Sequence, residues 1–241
     1  MSLSISSVES LTCYSLPGGG FHNPCMAFQF RGLKKVLKNV PDIAVTLISY
    51  PLAPHDPAPK TFPRVLKIYQ QLLKEASDRG ETVYLAGDSA GGNLAFAITL
   101  HDLNNDKDAL APHAIVTQVP LVTWRTDILP DGLDYVFTRE SSIKLGDSWC
   151  AEWSRDDPRV SPLEANVAVL KERGVKVFAF SAGQDMCGPG AKLMRIKMQE
   201  AGVEGEWLEW ANQSHFSAGL WNMGMYDANE QMDWWVECFR K

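Results

Sequence analysis

A chain of 241 residues with 45% hydrophobic and 22% charged side chains has the make-up of one large folded domain, and α/β folds reach this size undivided. Its 23 basic and 29 acidic residues leave a formal charge of −6 with no long basic run, which argues against nucleic acid or an anionic membrane surface as a partner. No apolar run approaches the ~18 residues of a membrane span.

Strand-like and helix-like segments alternate along the chain. Leu11–Leu16 is a short mixed run that ends at Pro17-Gly18-Gly19-Gly20. Ile43–Ser49, bounded by Pro41 and Pro51, is β-branched and apolar and predicts a buried strand. From Pro63 to Arg79, Val65, Ile68, Tyr69, Leu72, Leu73 and Ala76 recur at helical spacing, and Gly80 stops the run. Thr82–Ala86 is the next strand, and Gly91 to about Leu103 the next helix. Ala114–Val119, Val175–Phe180 and Glu206–Trp210 are further strands, with a helix from about Ala191 to Ala201 between the last two. The C-terminal run carries Met232, Trp235, Val236 and Phe239 on one helical face. Such alternation predicts a mostly parallel sheet with helices on both faces. The stretch 124–162, rich in Asp, Pro and Trp, breaks the rhythm and predicts an excursion, or partial cap, above a single domain spanning 1–241.

Five cysteines, at 13, 25, 150, 187 and 238, are odd in number and irregular in spacing. Neither a disulfide framework nor a zinc motif is indicated, and reduced thiols in a cytoplasmic protein are expected. The first ten residues have no basic and apolar regions of the kind that mark a secretory leader.

The segment Gly87-Asp88-Ser89-Ala90-Gly91 matches Gly-x-Ser-x-Gly between a predicted strand and a predicted helix. A sharp turn there lifts the serine hydroxyl above the sheet, and side chains two residues either side would collide with the strand and helix. The helix N-terminus then points its free N–H groups to where an oxyanion would form. By chance alone the pattern occurs in a chain of this length with odds of roughly one in ten, so the strand–helix context carries the assignment of Ser89 as nucleophile.

A serine needs a base, and the base an orienting acid. Of the five histidines only His215 follows a late strand; His22 neighbours the glycine loop, and His55, His101 and His113 sit in a loop, a helix and before a strand. Asp185 follows the strand that ends near Phe180. The order Ser89, Asp185, His215, each just past a strand, is that of a nucleophile–acid–base triad in an α/β-hydrolase. Pro17-Gly18-Gly19-Gly20-Phe21-His22 follows the first strand, and the N–H groups of Gly19 and Gly20, with that of Ala90, are the candidate oxyanion donors.

These segments together resemble the hormone-sensitive-lipase-like carboxylesterases of the α/β-hydrolase superfamily. "PGGGFH" stands where that family has His-Gly-Gly-Gly, "YPLAPHDPAPKTFP" resembles its Tyr-Arg-Leu-Ala-Pro segment, and "GDSAGGNLA" resembles its elbow. "DPRVSPLEA", "SAGQDM" and "SHF" are similar to the stretch before its penultimate strand, its acid loop and its histidine loop. The resemblance implies an α/β-hydrolase fold and hydrolysis of a small-molecule ester by Ser89, Asp185 and His215 without metal or organic cofactor. A homodimer is compatible with it. In two respects the chain departs from the pattern. Pro17 replaces the histidine that helps to brace the oxyanion loop, and fewer residues precede the first strand than the family's N-terminal strands and cap occupy, so those elements are expected to be short or missing. The alternatives left open are an amide, lactone or formamide hydrolase with the same triad, and a non-catalytic protein of this fold that binds a ligand or partner.

Overall fold

Six strands form one sheet: β1 (Leu11–Leu16), β2 (Ile43–Leu47), β3 (Thr82–Asp88), β4 (Ala114–Gln118), β5 (Lys176–Gln184) and β6 (Gly205–Ser214). All neighbours are parallel, in the order β2-β1-β3-β4-β5-β6. The computed structural model describes residues 10–241 apart from 131–133, 135–136, 222 and 224–225. The first nine residues and part of the expected excursion therefore lie outside the described residues.

A parallel sheet is covered on both faces, so the central strands β1, β3, β4 and β5 are buried along most of their length and the two-residue alternation sorts side chains between two cores. The edge strands β2 and β6 are partly exposed, which makes β2 less buried than its sequence predicts. Val83, Leu85, Ile115 and Val177 face α2 (Ala58–Arg79), α3 (Ala90–Asn105) and α6 (Gly188–Ala201). Tyr84, Ala86, Ala114, Val116 and Phe178 face α1 (Ala27–Asn39) and α7 (Tyr226–Cys238). The C-terminal stripe predicted from spacing, Met232, Trp235, Val236 and Phe239, is buried in this second core. Helix α3 is buried on nearly every side, which suits the apolar run that follows the Ser89 turn.

Among the elements that differ from the sequence reading are the first two helices. Helix α1 was not anticipated, because only Leu33 and Val36 among its strongly apolar residues are buried, alongside Gln29 and Gly32. Helix α2 begins at Ala58 rather than Pro63. Pro59 occupies its second position, where no N–H is needed, and the Thr61 hydroxyl donates to the Asp56 carbonyl at 2.8 Å to hold the first turn. Pro63 then forgoes a single bond one turn further in.

The 124–162 stretch contains α4 (Arg139–Cys150) and is closed at its neck. The Leu163 N–H donates to the Val122 carbonyl (2.9 Å), and the Trp124 N–H to the Ser161 hydroxyl (2.9 Å). The buried Asn93 of α3 donates to the carbonyls of Leu121 and Val160, both at 2.8 Å, so the central helix holds both arms of the neck. After it come α5 (Ala168–Glu172), β5, α6 and β6. Among the described residues no helix is long and apolar enough to cross a membrane.

One aromatic stack ties α4 to the body. Trp149 lies face to face with Phe21, with centroids 3.8 Å apart and planes 10° from parallel, and neither side chain is exposed. Phe21 holds a left-handed backbone (φ 64°) that a bulky residue rarely adopts, so its burial and stacking offset that strain. Trp149→Ala is expected to cost about 3–5 kcal/mol, since the cavity it leaves is lined by parts of two elements that cannot both collapse into it. Urea unfolding of the two proteins reads this directly.

Candidate active site

The turn between β3 and α3 has the backbone that Gly-x-Ser-x-Gly requires. Ser89 lies at φ 51° and ψ −116°, a strained region for any residue with a β-carbon. Three backbone bonds hold it there. The Ser89 N–H donates to the Gln118 carbonyl at the end of β4, and its own carbonyl accepts from Asn93 and Leu121. The flanking glycines are a matter of space. A β-carbon on Gly91 would sit 1.9 Å from the Leu16 carbonyl oxygen, and one on Gly87 would sit 2.5 Å from the Gly91 backbone.

His215 directly follows β6, and Asp185 directly follows β5. The His215 Nδ1 lies 2.9 Å from Asp185 Oδ1, and its Nε2 lies 2.8 Å from Ser89 Oγ. A carboxylate only accepts, so Nδ1 carries the ring proton and the neutral ring leaves Nε2 free to accept from the serine hydroxyl. Asp185 Oδ1 also accepts the Cys187 N–H at 2.8 Å, which orients the carboxylate. Both Asp185 and His215 are buried. Burial pulls the imidazole pKa down, but the Asp185 charge and the hydrogen bond to it outweigh that and hold His215 well above its ordinary value. Cys187, pushed up to about 11 by burial and by the Asp185 charge, remains a neutral thiol.

The glycine loop packs beside the serine. Gly20 and Ser89 line two cavities that meet at the hydroxyl. One runs under the 124–162 stretch past Leu121, Trp124, Leu129, Leu145 and Met186. The other, the roomier of the two, lies on the His215 side between Phe28, Val119, Phe216 and Gly219. The Gly19 carbonyl accepts from the His22 and Asn23 N–H groups. Neither Gly19 nor Gly20 donates its own N–H to an acceptor among the described residues. Ala90 is the first residue of α3, where an N–H has no partner within the helix. The Gly18 N–H, in contrast, is committed to Asp88 Oδ1 at 3.0 Å.

Pro17 offers this loop no side-chain donor, and other groups brace it. The Tyr50 hydroxyl donates to the Pro17 carbonyl at 2.7 Å. The buried Gln29 amide reaches both Asp88 oxygens at 2.9 Å and the Gly18 carbonyl at 3.3 Å, so α1, the glycine loop and the elbow share one network. His22 bridges the Gly20 carbonyl (2.7 Å) and the Ser148 hydroxyl of α4 (2.8 Å), which makes it a strut of the loop and not a reserve base. Sequence patterns singled out neither Gln29 nor Tyr50 for this task. A Gln on the buried side of an amphipathic helix was the one available signal.

Asp88 supplies a pH test of that network. Burial raises its pKa above the ordinary carboxylate value, while the Gly18 N–H and the Gln29 amide act to lower it. A carboxyl group with a raised folded pKa favours the folded state below its unfolded value, about 3.9, and loses that contribution as pH rises through the folded pKa. Gln29→Leu removes donors that serve the ionised form. It should cost about 1–3 kcal/mol at pH 7, and less at pH 4, in paired urea titrations.

The comparisons with known proteins agree with this fold. A family model described as the alpha/beta hydrolase fold matches residues 15–218. A curated protein named "Esterase" from Acinetobacter venetianus is 27% identical over 203 residues, covering 80% of this chain and 60% of its own. The chain thus spans about three fifths of the length of that relative. Among solved structures, a hormone-sensitive lipase from a metagenome library superposes with TM-score 0.78 at 19% identity, over 94% of this chain and 76% of that one. Carboxyl esterase 2 of the fungus Tuber melanosporum gives TM-score 0.80 at 18% identity, over 97% and 78%. This chain belongs to the α/β-hydrolase fold family.

Proposed function

We propose that the protein is a serine carboxylesterase that hydrolyses small carboxylic esters through an acyl-enzyme. The observation that carries this reading is the unbroken chain of two hydrogen bonds from Ser89 Oγ through His215 to Asp185, opening onto two cavities. A protein that only bound a ligand would have no use for a strained serine, a base 2.8 Å from it and an oriented buried acid held together.

In this reading Ser89 Oγ attacks the ester carbonyl as its proton passes to His215 Nε2. Asp185 stabilises the imidazolium and keeps the ring in register. Negative charge gathers on the former carbonyl oxygen, which the N–H groups of Gly19, Gly20 and Ala90 receive. Collapse of the tetrahedral intermediate breaks the C–O bond, and His215 returns its proton to the departing alkoxide. Water then adds to the acyl-enzyme by the same proton route, releasing the acid and restoring Ser89.

The cavities divide the substrate between them. The leaving alcohol must sit near His215 Nε2 to be protonated, and the larger cavity is the one that His215 lines. The acyl group then occupies the apolar cavity beneath α4, where Leu145 and Trp124 form part of the wall. The 124–162 stretch thereby serves as a partial cap on a single hydrolase domain.

Ser89→Ala should abolish hydrolysis of p-nitrophenyl acetate and the labelling of the native chain by a fluorophosphonate probe, without changing the free energy of urea unfolding by more than about 1 kcal/mol, because the hydroxyl takes little part in core packing. Retained turnover, or a label on another serine, would refute the assignment.

The base must be neutral to accept the serine proton. With the His215 pKa held above 6.5, activity should be full on its alkaline side and fall as pH drops through it. The kcat/KM profile should therefore show an acid limb with its midpoint above pH 6.5. A midpoint near the carboxylate range would mean that another group limits the reaction.

A further inference from the structure

The acid loop carries a thiol that the hydrolytic cycle does not use. Cys187 lies two residues past Asp185 and lines the apolar cavity next to Ser89. One ligand atom from each of Asp185, Cys187 and His215 lies within 4.8 Å of the others. Tetrahedral coordination at ~2.0–2.3 Å places ligand atoms roughly 3.3–3.8 Å apart, so small side-chain movements would close this trio around an ion. A second feature points the same way. Asp185 Oδ2 is buried and has no hydrogen-bond partner among the described residues, an expensive state for a carboxylate oxygen whose twin already serves two donors.

We propose that Asp185, Cys187 and His215 form a binding site for a soft divalent cation such as Zn²⁺, and that the bound ion switches the serine off. The inhibitory consequence rests on the esterase reading above; the binding itself does not. The donor set of carboxylate, thiolate and imidazole suits Zn²⁺ or Co²⁺ and disfavours Mg²⁺ or Ca²⁺, which take oxygen ligands. Carboxylate and thiolate together cancel the charge of a dication, so the occupied site holds no net charge in a largely buried setting. The cavity beside Ser89 provides the entry path and leaves the fourth position to water.

Proton balance follows from the ligands. Cys187 releases its Sγ–H proton to solvent as the sulfur–metal bond forms, and His215 binds as a neutral ring through one nitrogen. One proton leaves per ion above the His215 pKa, and two below it. Affinity should therefore climb about tenfold per pH unit where one proton leaves and about a hundredfold where two do. Either ring nitrogen that takes the metal gives up a partner the relay needs, Ser89 on one side or Asp185 on the other.

The test uses the full chain freed of metal with a chelator. Added Co²⁺ should produce a thiolate-to-cobalt charge-transfer band in the native protein and equally in Ser89→Ala, which has lost no ligand. Cys187→Ala, which keeps the backbone N–H that Asp185 accepts, should lose the band. Zn²⁺ should inhibit hydrolysis of p-nitrophenyl acetate, reversibly with EDTA, and the half-inhibiting concentration should rise at least about tenfold in Cys187→Ala, relative to that variant's own metal-free rate. Absence of the band in the native chain, or a band and inhibition unchanged in Cys187→Ala, would overturn the site. A band in a native protein that hydrolyses nothing would leave the metal site standing and refute the esterase reading.

Discussion

Gly91 and the carbonyl of Leu16 occupy a space that has no room for one more carbon, and the geometry around Ser89 depends on that closeness. Because α3 starts against the end of β1, the glycine loop that follows β1 passes beside the helix N-terminus. The strained Ser89 turn is what brings strand and helix so near, and it is held by bonds to the ends of β4 and the loop beyond it. A β-carbon at position 91 would push these elements apart and move the Gly19 and Gly20 N–H groups away from the Ser89 hydroxyl. Strain at Ser89 is thus a by-product of fitting three structural pieces around one point.

The other side of the site is fixed by strand ends. Strands β5 and β6 are adjacent and parallel, and their C-terminal ends bring Asp185 and His215 together although thirty residues separate them. Parallel pairing makes every strand end on the same edge of the sheet, which is where an α/β fold collects its chemistry. The cap-like stretch then closes over that edge. It is attached by the Asn93 bonds at its neck, by the Phe21–Trp149 stack and by the His22 bridge to Ser148. Each attachment reaches the glycine loop or α3, so the glycine loop, the 124–162 stretch and the Ser89 turn are mechanically one unit.

Much of this was readable in the residues, for physical reasons. The central strands declared themselves because a doubly covered parallel strand is apolar over most of its length, and the Ser89 turn because two glycines around a serine between strand and helix answer a steric demand. His215 followed from its place after a late strand. What escaped was the support. Helix α1 is amphipathic, but a glutamine and a glycine sit beside Leu33 and Val36 on its buried face, so an apolar count along the sequence passes over it. The pairing of Gln29 with Asp88 spans 59 residues, and that of Tyr50 with Pro17 spans 33, distances at which no local pattern exists. Pro17 looked like a loss because a missing side-chain donor is visible in a sequence, whereas a backbone carbonyl that accepts a bond from elsewhere is not.

The central claim is that Ser89 carries the acyl group between two half-reactions. Acid quenching of the protein during turnover of p-nitrophenyl acetate, followed by peptide mass spectrometry, tests it most directly. The account predicts an acetyl group on the peptide that contains Ser89, absent in Ser89→Ala and accumulating in His215→Ala only as slowly as the uncatalysed acylation allows. Steady turnover with the acetyl group on a different residue would contradict it.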